Sequence, residues 1–474
     1  MRRALWFAGL LAGLVASPAV AAPQFGGLAS YSVSDLITEE QRAAIQSRLA
    51  LQVKSLRTQG RLSFPASPQN VALGWPLAPL TPSDFDPHGI SNFVDENPTF
   101  GAVLDYNCGT RTYDQTNYNH QGTDFFTWPF GFYKMDHDEV AIVAAADGVI
   151  IAKDDGNFDR NCGFGSGNWN AVYVMHADNS VAWYGHMKNG SLTSKFPGET
   201  VTRGERLGIV GSSGNSTGPH LHFELYNAAN QLTDPWGGPC NSMGGVSWWA
   251  DQRPYYDSAV NAVLTHSAPP NLPGCPNTEI PNTSDTFTPG QTVYYAVYYH
   301  DQLQGQVSQY KIYDANGALY DSWSDALGVP WYAADYWYWY APLNTAGFAL
   351  GQWRFEVTYQ GKTYNHYFYV VDPVAAETPV PRLGLSRLGE SPARGAVELE
   401  YRLPAAGLAR VAVFDTRGRR VAGLVEGWKP AGAHRVTWNP GGAAGSRSGS
   451  GPAVYLAKLT FGDRSRTEKV LVLP

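Results

Sequence analysis

Gly218-Pro219-His220-Leu221-His222-Phe223-Glu224 decides the reading of this chain. Leu221, Phe223 and the following Leu225 alternate with His220, His222 and Glu224. Successive side chains on a β-strand point to opposite faces, so the apolar set turns to a core and both imidazoles share the other face. Histidines two apart on one pleat lie about 6–7 Å from each other at the backbone, so one can hold a metal while its neighbour reaches the reacting group beside it. The plainer alternative is a solvent-facing pair on a half-exposed strand. It explains the pair but neither the preceding Gly-Pro nor the companions upstream.

Those companions are His120-Gln121-Gly122-Thr123-Asp124 and Trp183-Tyr184-Gly185-His186. A catalytic zinc takes three N or O ligands from the protein and keeps a fourth position for water. His120, Asp124 and His222 could supply that set, leaving His186 and His220 for proton transfer or the oxyanion. The order H-x-x-x-D, Y-G-H, G-P-H-L-H-F-E resembles that of lysostaphin/LytM-type zinc endopeptidases. Two more stretches are similar to landmarks of that family, Ala144-Ala145-Ala146-Asp147-Gly148-Val149-Ile150 and the segment from Gly198-Glu199 to Val210-Gly211.

The resemblance spans about residues 95–235. It implies an antiparallel β peptidase domain in which His120, Asp124 and His222 hold Zn²⁺ while His186 and His220 are catalytic. It also implies hydrolysis of peptide bonds in peptidoglycan stems or cross-bridges, often at Gly or D-Ala. Some relatives cut Gly-rich proteins such as elastin, and others that have lost ligands only activate wall hydrolases; every ligand position is filled here. Two departures, Thr123 where Ile or Val is usual and the aromatic stretch Phe125–Tyr133, are expected to reshape the groove.

Outside this core the chain of 474 residues reads as mainly β, with 43% hydrophobic residues, 16% charged and a net charge of −7. Collagen, coiled coil and wholesale disorder are excluded by that composition. A nucleic-acid partner is argued against by the missing basic excess. Arg2 and Arg3 precede an apolar run from Ala4 to Val15, and Ala19-Val20-Ala21 supplies a signal-peptidase site. Residues 1–21 are therefore expected to direct export, making the protein secreted or held at the cell surface.

Residues 22–92 form a helical and linker segment, a candidate pro-region covering the groove. Its helix is expected from Thr38 to Leu56, with a Thr38-x-x-Gln41 capping box and apolar Ile45, Leu49, Val53 and Leu56 near one stripe. Short β runs then place the peptidase domain at 93–256 and an immunoglobulin-like β domain at 270–372. Prolines 373, 379 and 381 mark a linker at 373–381.

A third β domain, 382–474, follows it. From residue 380 the chain holds 15 Lys/Arg against 7 Asp/Glu. Stretches such as Val413-Phe414-Asp415-x-x-Gly418-Arg419-Arg420 and the ending Lys469–Pro474 resemble FlgD-like modules and type IX secretion sorting tails. That resemblance implies an outer-membrane secretion or cell-surface partner; a spacer or wall-binding module is the equal alternative. Four cysteines in an exported chain favour two disulfides, and Cys108–Cys162 with Cys240–Cys275 is the pairing expected from neighbours in sequence. Histidines 88, 137, 176, 266, 300, 366 and 434 read as surface or structural.

Overall fold

The computed structural model describes residues 25–27, 33–62, 64, 71–81, 84–115, 117–165, 167–343, 349–372, 383–388, 393–440, 453–462 and 464–473. The export signal and the 373–381 linker fall outside them. The chain is mainly β, with two helices among the described residues, neither long and apolar enough to cross a membrane. It forms two compact units, residues 1–371 and 372–474.

The first unit is built on a sheet of antiparallel strands in the order Thr200–Val201, Gly148–Asp154, Ala171–His176, Val181–Tyr184, His220–Tyr226, Thr123–Thr127, His88–Asn92, with Leu232–Thr233 added beside His220–Tyr226. As the alternation requires, Leu221, Phe223 and Leu225 join Phe125, Val172, Val174 and Ala182 in a core on one face. A small sheet of Leu77–Pro79, Val140–Val143 and Arg206–Ile209 contributes Leu77, Ile142 and Leu207 to that core.

The other face of the sheet is covered by helix α1, Glu39–Thr58. Thr38 caps it, its Oγ1 accepting from the Gln41 amide while the Gln41 side chain accepts from Thr38 N–H. Arg42, Leu49 and Leu56, seven residues apart, are its buried stripe. The two leucines pack on Ile151, Tyr173, Met175, Val181, Trp183 and Tyr226. Burying a leucine is worth roughly 2 kcal/mol, so this face holds the N-terminal segment in place.

A two-sheet sandwich follows. One sheet contains Ala259–His266, Thr292–Leu303 and Trp331–Pro342, and residues 25–27 add a further strand antiparallel to 336–338. The second contains Lys362–Val370, Gly351–Tyr359, Val307–Tyr313 and Leu319–Ala326, with Thr286–Phe287 at its edge. Tyr295, Val297, Trp339, Trp353, Phe355 and Phe368 fill the space between them. The strand Ala259–His266 lies between the two stretches delimited by sequence, 93–256 and 270–372, and belongs to the sandwich through its pairing with Thr292–Leu303.

The aromatic stretch after Asp124 turns toward the sandwich. It leaves the strand Thr123–Thr127, forms helix α2 (Gly131–Asp136), and packs Phe126, Trp128 and Phe130 on Ala262, Leu264, Ala296, Tyr298 and Ala334 of the sandwich. Arg111 and Asp301 join the two layers by a buried ion pair at 2.6 Å.

The second unit is itself a β sandwich. Gly384–Leu388, Val397–Leu403 and Gly432–Trp438 form one sheet. The other holds Arg464–Leu473, Ala453–Phe461, Gly407–Asp415 and Arg420–Lys429, with residues 393–394 at its edge. Leu399, Leu403, Val411, Val413, Leu459 and Val470 are at its centre.

The disulfides differ from the sequence expectation. They join Cys108 to Cys240 and Cys162 to Cys275. The reason is where the loops lie: the Cys240 amide donates to Tyr106 C=O, while Asn161, next to Cys162, donates to Ser212 C=O elsewhere in the domain. Neighbours in sequence are therefore not neighbours in space.

Candidate active site

All five histidines and carboxylates singled out in the sequence converge, fully buried, on the face of the sheet under α1. His222 and Asp124 are cross-strand partners, so register alone sets them side by side. His120 arrives from the turn just before the Asp124 strand. His220 shares its face with His222. His186 follows Tyr184 at a sharp turn where its own φ is +59°, a left-handed conformation that throws the imidazole into the cluster.

Two motif glycines are required by close approach. A Cβ on Gly122 would meet the His222 ring at 2.6 Å, and one on Gly185 would run into the Trp169 ring.

Hydrogen bonds fix which nitrogen of each ring faces the centre. His120 donates through Nδ1 to Phe93 C=O at 2.6 Å, turning Nε2 inward to 3.1 Å from Asp124. His222 Nε2 lies 2.8 Å from Glu224, turning Nδ1 inward to 2.9 Å from Asp124 and 3.4 Å from His120 Nε2. The carboxylate behind His222 is the partner that commonly orients a metal-bound imidazole.

These donors suit a small dication. Four ligand atoms, from Asp35, His120, Asp124 and His222, all lie within 4.8 Å of one another. Ligands at about 2.0–2.1 Å from a tetrahedral ion stand roughly 3.3 Å apart, close to the separations seen.

His186 and His220 flank this set, their rings 4.4 Å apart. His186 donates through Nδ1 to Ser213 C=O and His220 through Nδ1 to Gly218 C=O. His220 Nε2 has no hydrogen-bond partner among the described residues and lies 3.6 Å from Asp124. Burial, with His186 beside it, pushes the His220 imidazole down to about 4, so the ring is neutral at physiological pH.

Sequence reasoning missed Asp35. This carboxylate comes from the segment ahead of α1 and is fully buried, its Oδ2 2.7 Å from His222 Nδ1 and 3.1 Å from His186 Nε2. Its Oδ1 accepts from the hydroxyls of Tyr113 (2.6 Å) and Tyr118 (2.7 Å). Burial would raise Asp35, but His222 and His186 hold it well below the usual carboxylate range. Burial likewise opposes the charge on His222, yet Asp35, Asp124 and Glu224 raise it well above an ordinary histidine. That concentration of negative charge is the field a dication would meet.

Arg42 was missed as well. From the first turn of α1 its guanidinium reaches Glu224 at 2.5 Å and Tyr226 at 2.6 Å, in a pair sealed from solvent. Glu224 itself carried a signal, since the alternation puts it on the face of the two histidines.

The remaining histidines are engaged elsewhere. His176 bonds Asp147 C=O, His266 bonds Pro281 C=O and His300 bonds Asn261. Beside His137, Asp136 pairs with Arg160 and Asp138 with Lys188. His300 lies near Asp86 and Asp257, but Arg253 already pairs with both carboxylates.

A buried set of two imidazoles and a carboxylate on an antiparallel sheet, with two more imidazoles in reach, is an arrangement suited to metal-assisted hydrolysis. Residues 119–235 match the model of peptidase family M23, and the chain carries an M23 peptidase domain. Over 168 residues it is 28% identical to peptidoglycan DD-endopeptidase ShyC of Vibrio cholerae, covering 28% of this chain and 34% of that protein. Over 81 residues it is 44% identical to DD-carboxypeptidase/endopeptidase Mpg of Neisseria meningitidis, covering 17% of this chain and 16% of that one. Both matches span well under half of the curated relative. Among solved structures, the catalytic domain of lysostaphin from Staphylococcus simulans aligns at 20% identity over 31% of this chain and 89% of that chain, with a TM-score of 0.21.

Proposed function

We propose that this protein is an exported, zinc-dependent endopeptidase that hydrolyses peptide bonds in peptidoglycan stems or cross-bridges. One observation carries the reading: three ligand-type side chains and two further imidazoles, scattered over about a hundred residues of sequence, meet in one buried cluster with their tautomers fixed. The printed activities of ShyC and Mpg support the substrate class.

His120 Nε2, Asp124 and His222 Nδ1 would hold the ion. When bound, Zn²⁺ supplies Lewis-acid polarisation of the scissile carbonyl and acidifies water at its open position. His220, neutral and with Nε2 turned inward, takes the proton of the attacking water. His186, its ring 4.4 Å from that of His220, presents Nε2 to the same space, where it would relay the proton taken up by His220 to the leaving amine. The hydroxyls of Tyr113 and Tyr118 donate into the place where negative charge develops. The aromatic stretch that left a Gly-rich protein substrate open is taken up by the sandwich, so it no longer argues for that alternative.

The test is mass spectrometry of fragments released from purified peptidoglycan by the zinc-loaded chain and by its His220→Ala variant. Peptides with new amino termini are expected, with about one zinc per chain and loss of release on chelation. Release that persists in a His220→Ala protein, or that needs no metal, would sink the proposal.

We assign the C-terminal unit to export or anchoring at the cell surface, on its resemblance to FlgD-like and sorting modules and its own closed core. Ending the chain after Val371 is expected to leave hydrolysis of a soluble peptide within about twofold of the full chain, as no residue of the cluster is lost. The location of the protein in fractionated cultures should change. Lost turnover in a folded truncation would contradict the assignment.

A further inference from the structure

The outer face of the second sandwich sheet carries aromatic rings in an open position. Trp353, Phe355 and Val357 of its central strand point into the core, so Gln352, Arg354 and Glu356 between them face out. Strand register lines up Leu319, Tyr313, Arg354 and Tyr367 across four strands and sets Gln352 opposite Tyr369 in the next row. Leu319 is 55% exposed, Tyr367 49% and Tyr369 39%, so the row is accessible to a ligand. Neighbouring strands lie about 4.8 Å apart, which puts Tyr313 and Tyr367 about 10 Å from each other with Arg354 between them.

Planar polar groups stand among these rings. The Arg354 guanidinium lies over the Tyr313 ring, 4.2 Å from its centre, and reaches Glu356 at 3.2 Å. Lys311 meets Glu356 from the neighbouring strand at 3.6 Å, and Gln352 donates to the Tyr369 hydroxyl at 3.0 Å. Charge is unevenly placed as well. Residues 270–372 hold 9 Asp/Glu and 3 Lys/Arg, and those three cations, Lys311, Arg354 and Lys362, all stand on this one sheet. An acidic module has thus gathered its positive charge beside its exposed tyrosines.

We propose that this face, centred on Tyr313, Arg354, Tyr367 and Tyr369, binds the glycan strands of peptidoglycan. The choice of polymer rests on the peptidoglycan reading above, while the contact itself is separate from the buried cluster and needs no metal. A pyranose ring has an apolar face of C–H groups that packs on an aromatic ring, and hydroxyl and amide groups that hydrogen-bond at its rim. Tyrosine offers both kinds of surface in one side chain. Two tyrosines separated by an intervening strand suit a disaccharide of an extended chain, not a single sugar. Gln352 and Glu356 supply acceptors for hydroxyl and N-acetyl N–H groups. The carboxylates that this glycan carries, and neutral amino-sugar polymers lack, meet Arg354 and Lys311 in charge-assisted hydrogen bonds. Held in this way, the enzyme meets the peptides of an insoluble polymer at an effective concentration that free diffusion does not give.

The test titrates the full chain with soluble glycan strands stripped of their stem peptides, which offer no peptide bond to cleave, and with neutral chitin oligosaccharides of equal length. The stripped strands are expected to bind, and more tightly than chitin. A Tyr367→Ala/Tyr369→Ala double variant should bind them at least about tenfold more weakly. Arg354→Gln, which keeps a planar group on the Tyr313 ring, should lose the preference over chitin, and it carries the test alone should the double variant fail to fold. Hydrolysis of a soluble peptide is expected to be unchanged in both. No binding of stripped strands by the unaltered chain, or equal binding by both variants, would overturn the proposal; equal binding of chitin would overturn the assignment to this glycan. A dimer in solution that becomes a monomer in the double variant would give the face to a second copy of the chain instead. Strand binding by a chain that releases no peptide fragments would leave this site standing and overturn the endopeptidase reading.

Discussion

Replacing His222 or Asp124 by Ala is expected to remove both the metal and hydrolysis, whereas replacing His220 or His186 by Ala should leave the metal in place and cut the rate roughly 10²–10⁴-fold. The division follows from which nitrogen each ring turns inward. His222 gives Nε2 to Glu224 and so presents Nδ1 to Asp124 and His120 at donor spacing. His220 and His186 give Nδ1 to backbone carbonyls and present Nε2 from beside the set, not within it.

A metal centre that loses one of three imidazole and carboxylate ligands loses most of its affinity; an imidazole beside it contributes only to the transition state. Metal content and peptide-cleavage rate measured on the same four variants decide the matter. A His220→Ala protein without metal, alongside a His222→Ala protein that keeps it, would reverse the two roles.

Substituting Asp335 by Asn should stabilise the protein by several kcal/mol at pH 8 and by little at pH 4. Asp335 stands on the strand Trp331–Pro342 opposite Tyr299, with its side chain among tyrosines and tryptophans of the sandwich core. Neither carboxyl oxygen has a hydrogen-bond partner among the described residues by distance and angle. Burial pushes the carboxyl up to about 8, with the Trp337 indole offsetting only part of the effect.

In the unfolded chain the group titrates near 4. Between these values the folded state binds the extra proton, so its stability falls as pH rises, by about 1.4 kcal/mol per pH unit, until the folded carboxyl ionises. Asn cannot ionise, so the slope disappears. Thermal unfolding of both proteins from pH 4 to 9 gives the difference directly; a difference independent of pH would refute the prediction.

The strands were legible because one buried face imposes a period of two. The strand His220–Tyr226 was read from Leu221, Phe223 and Leu225 alternating with His220, His222 and Glu224. The edge strands Leu319–Ala326 and Arg420–Lys429 were not, since an edge in solvent tolerates Asp, Ser and Gly and loses the alternation. The five cluster residues were legible as motifs because Gly122 and Gly185 have no room for a side chain and must stay beside them.

Asp35 gave no signal. A polar residue three ahead of a helix cap reads as an ordinary flank, and its partners lie 78 to 187 positions further along the chain. Arg42 was hidden in a different way. The stripe drawn from apolar residues ran through Ile45 and Val53, which are only partly buried, while the buried line of α1 passes through Arg42, Leu49 and Leu56. A charged residue on that line is explained only by the Glu224 that awaits it. Cysteine pairing was unreadable for the same reason: it depends on which loops the sheet brings together.

The aromatic seam between the peptidase sheet and the sandwich sets the limits within which this protein can be taken apart. Asp124 and the seam residues Phe126, Trp128 and Phe130 lie on one continuous run of seven residues, so the strand that carries the cluster is also the one pressed into the neighbouring sheet. A catalytic fragment excised at Tyr256 would surrender the Ala259–His266 strand and expose this greasy surface, inviting self-association. Exchange of modules between such enzymes, in the laboratory or over evolution, is therefore feasible at the 371/372 boundary. Within residues 1–371 the two β layers must be inherited, or transplanted, as a pair.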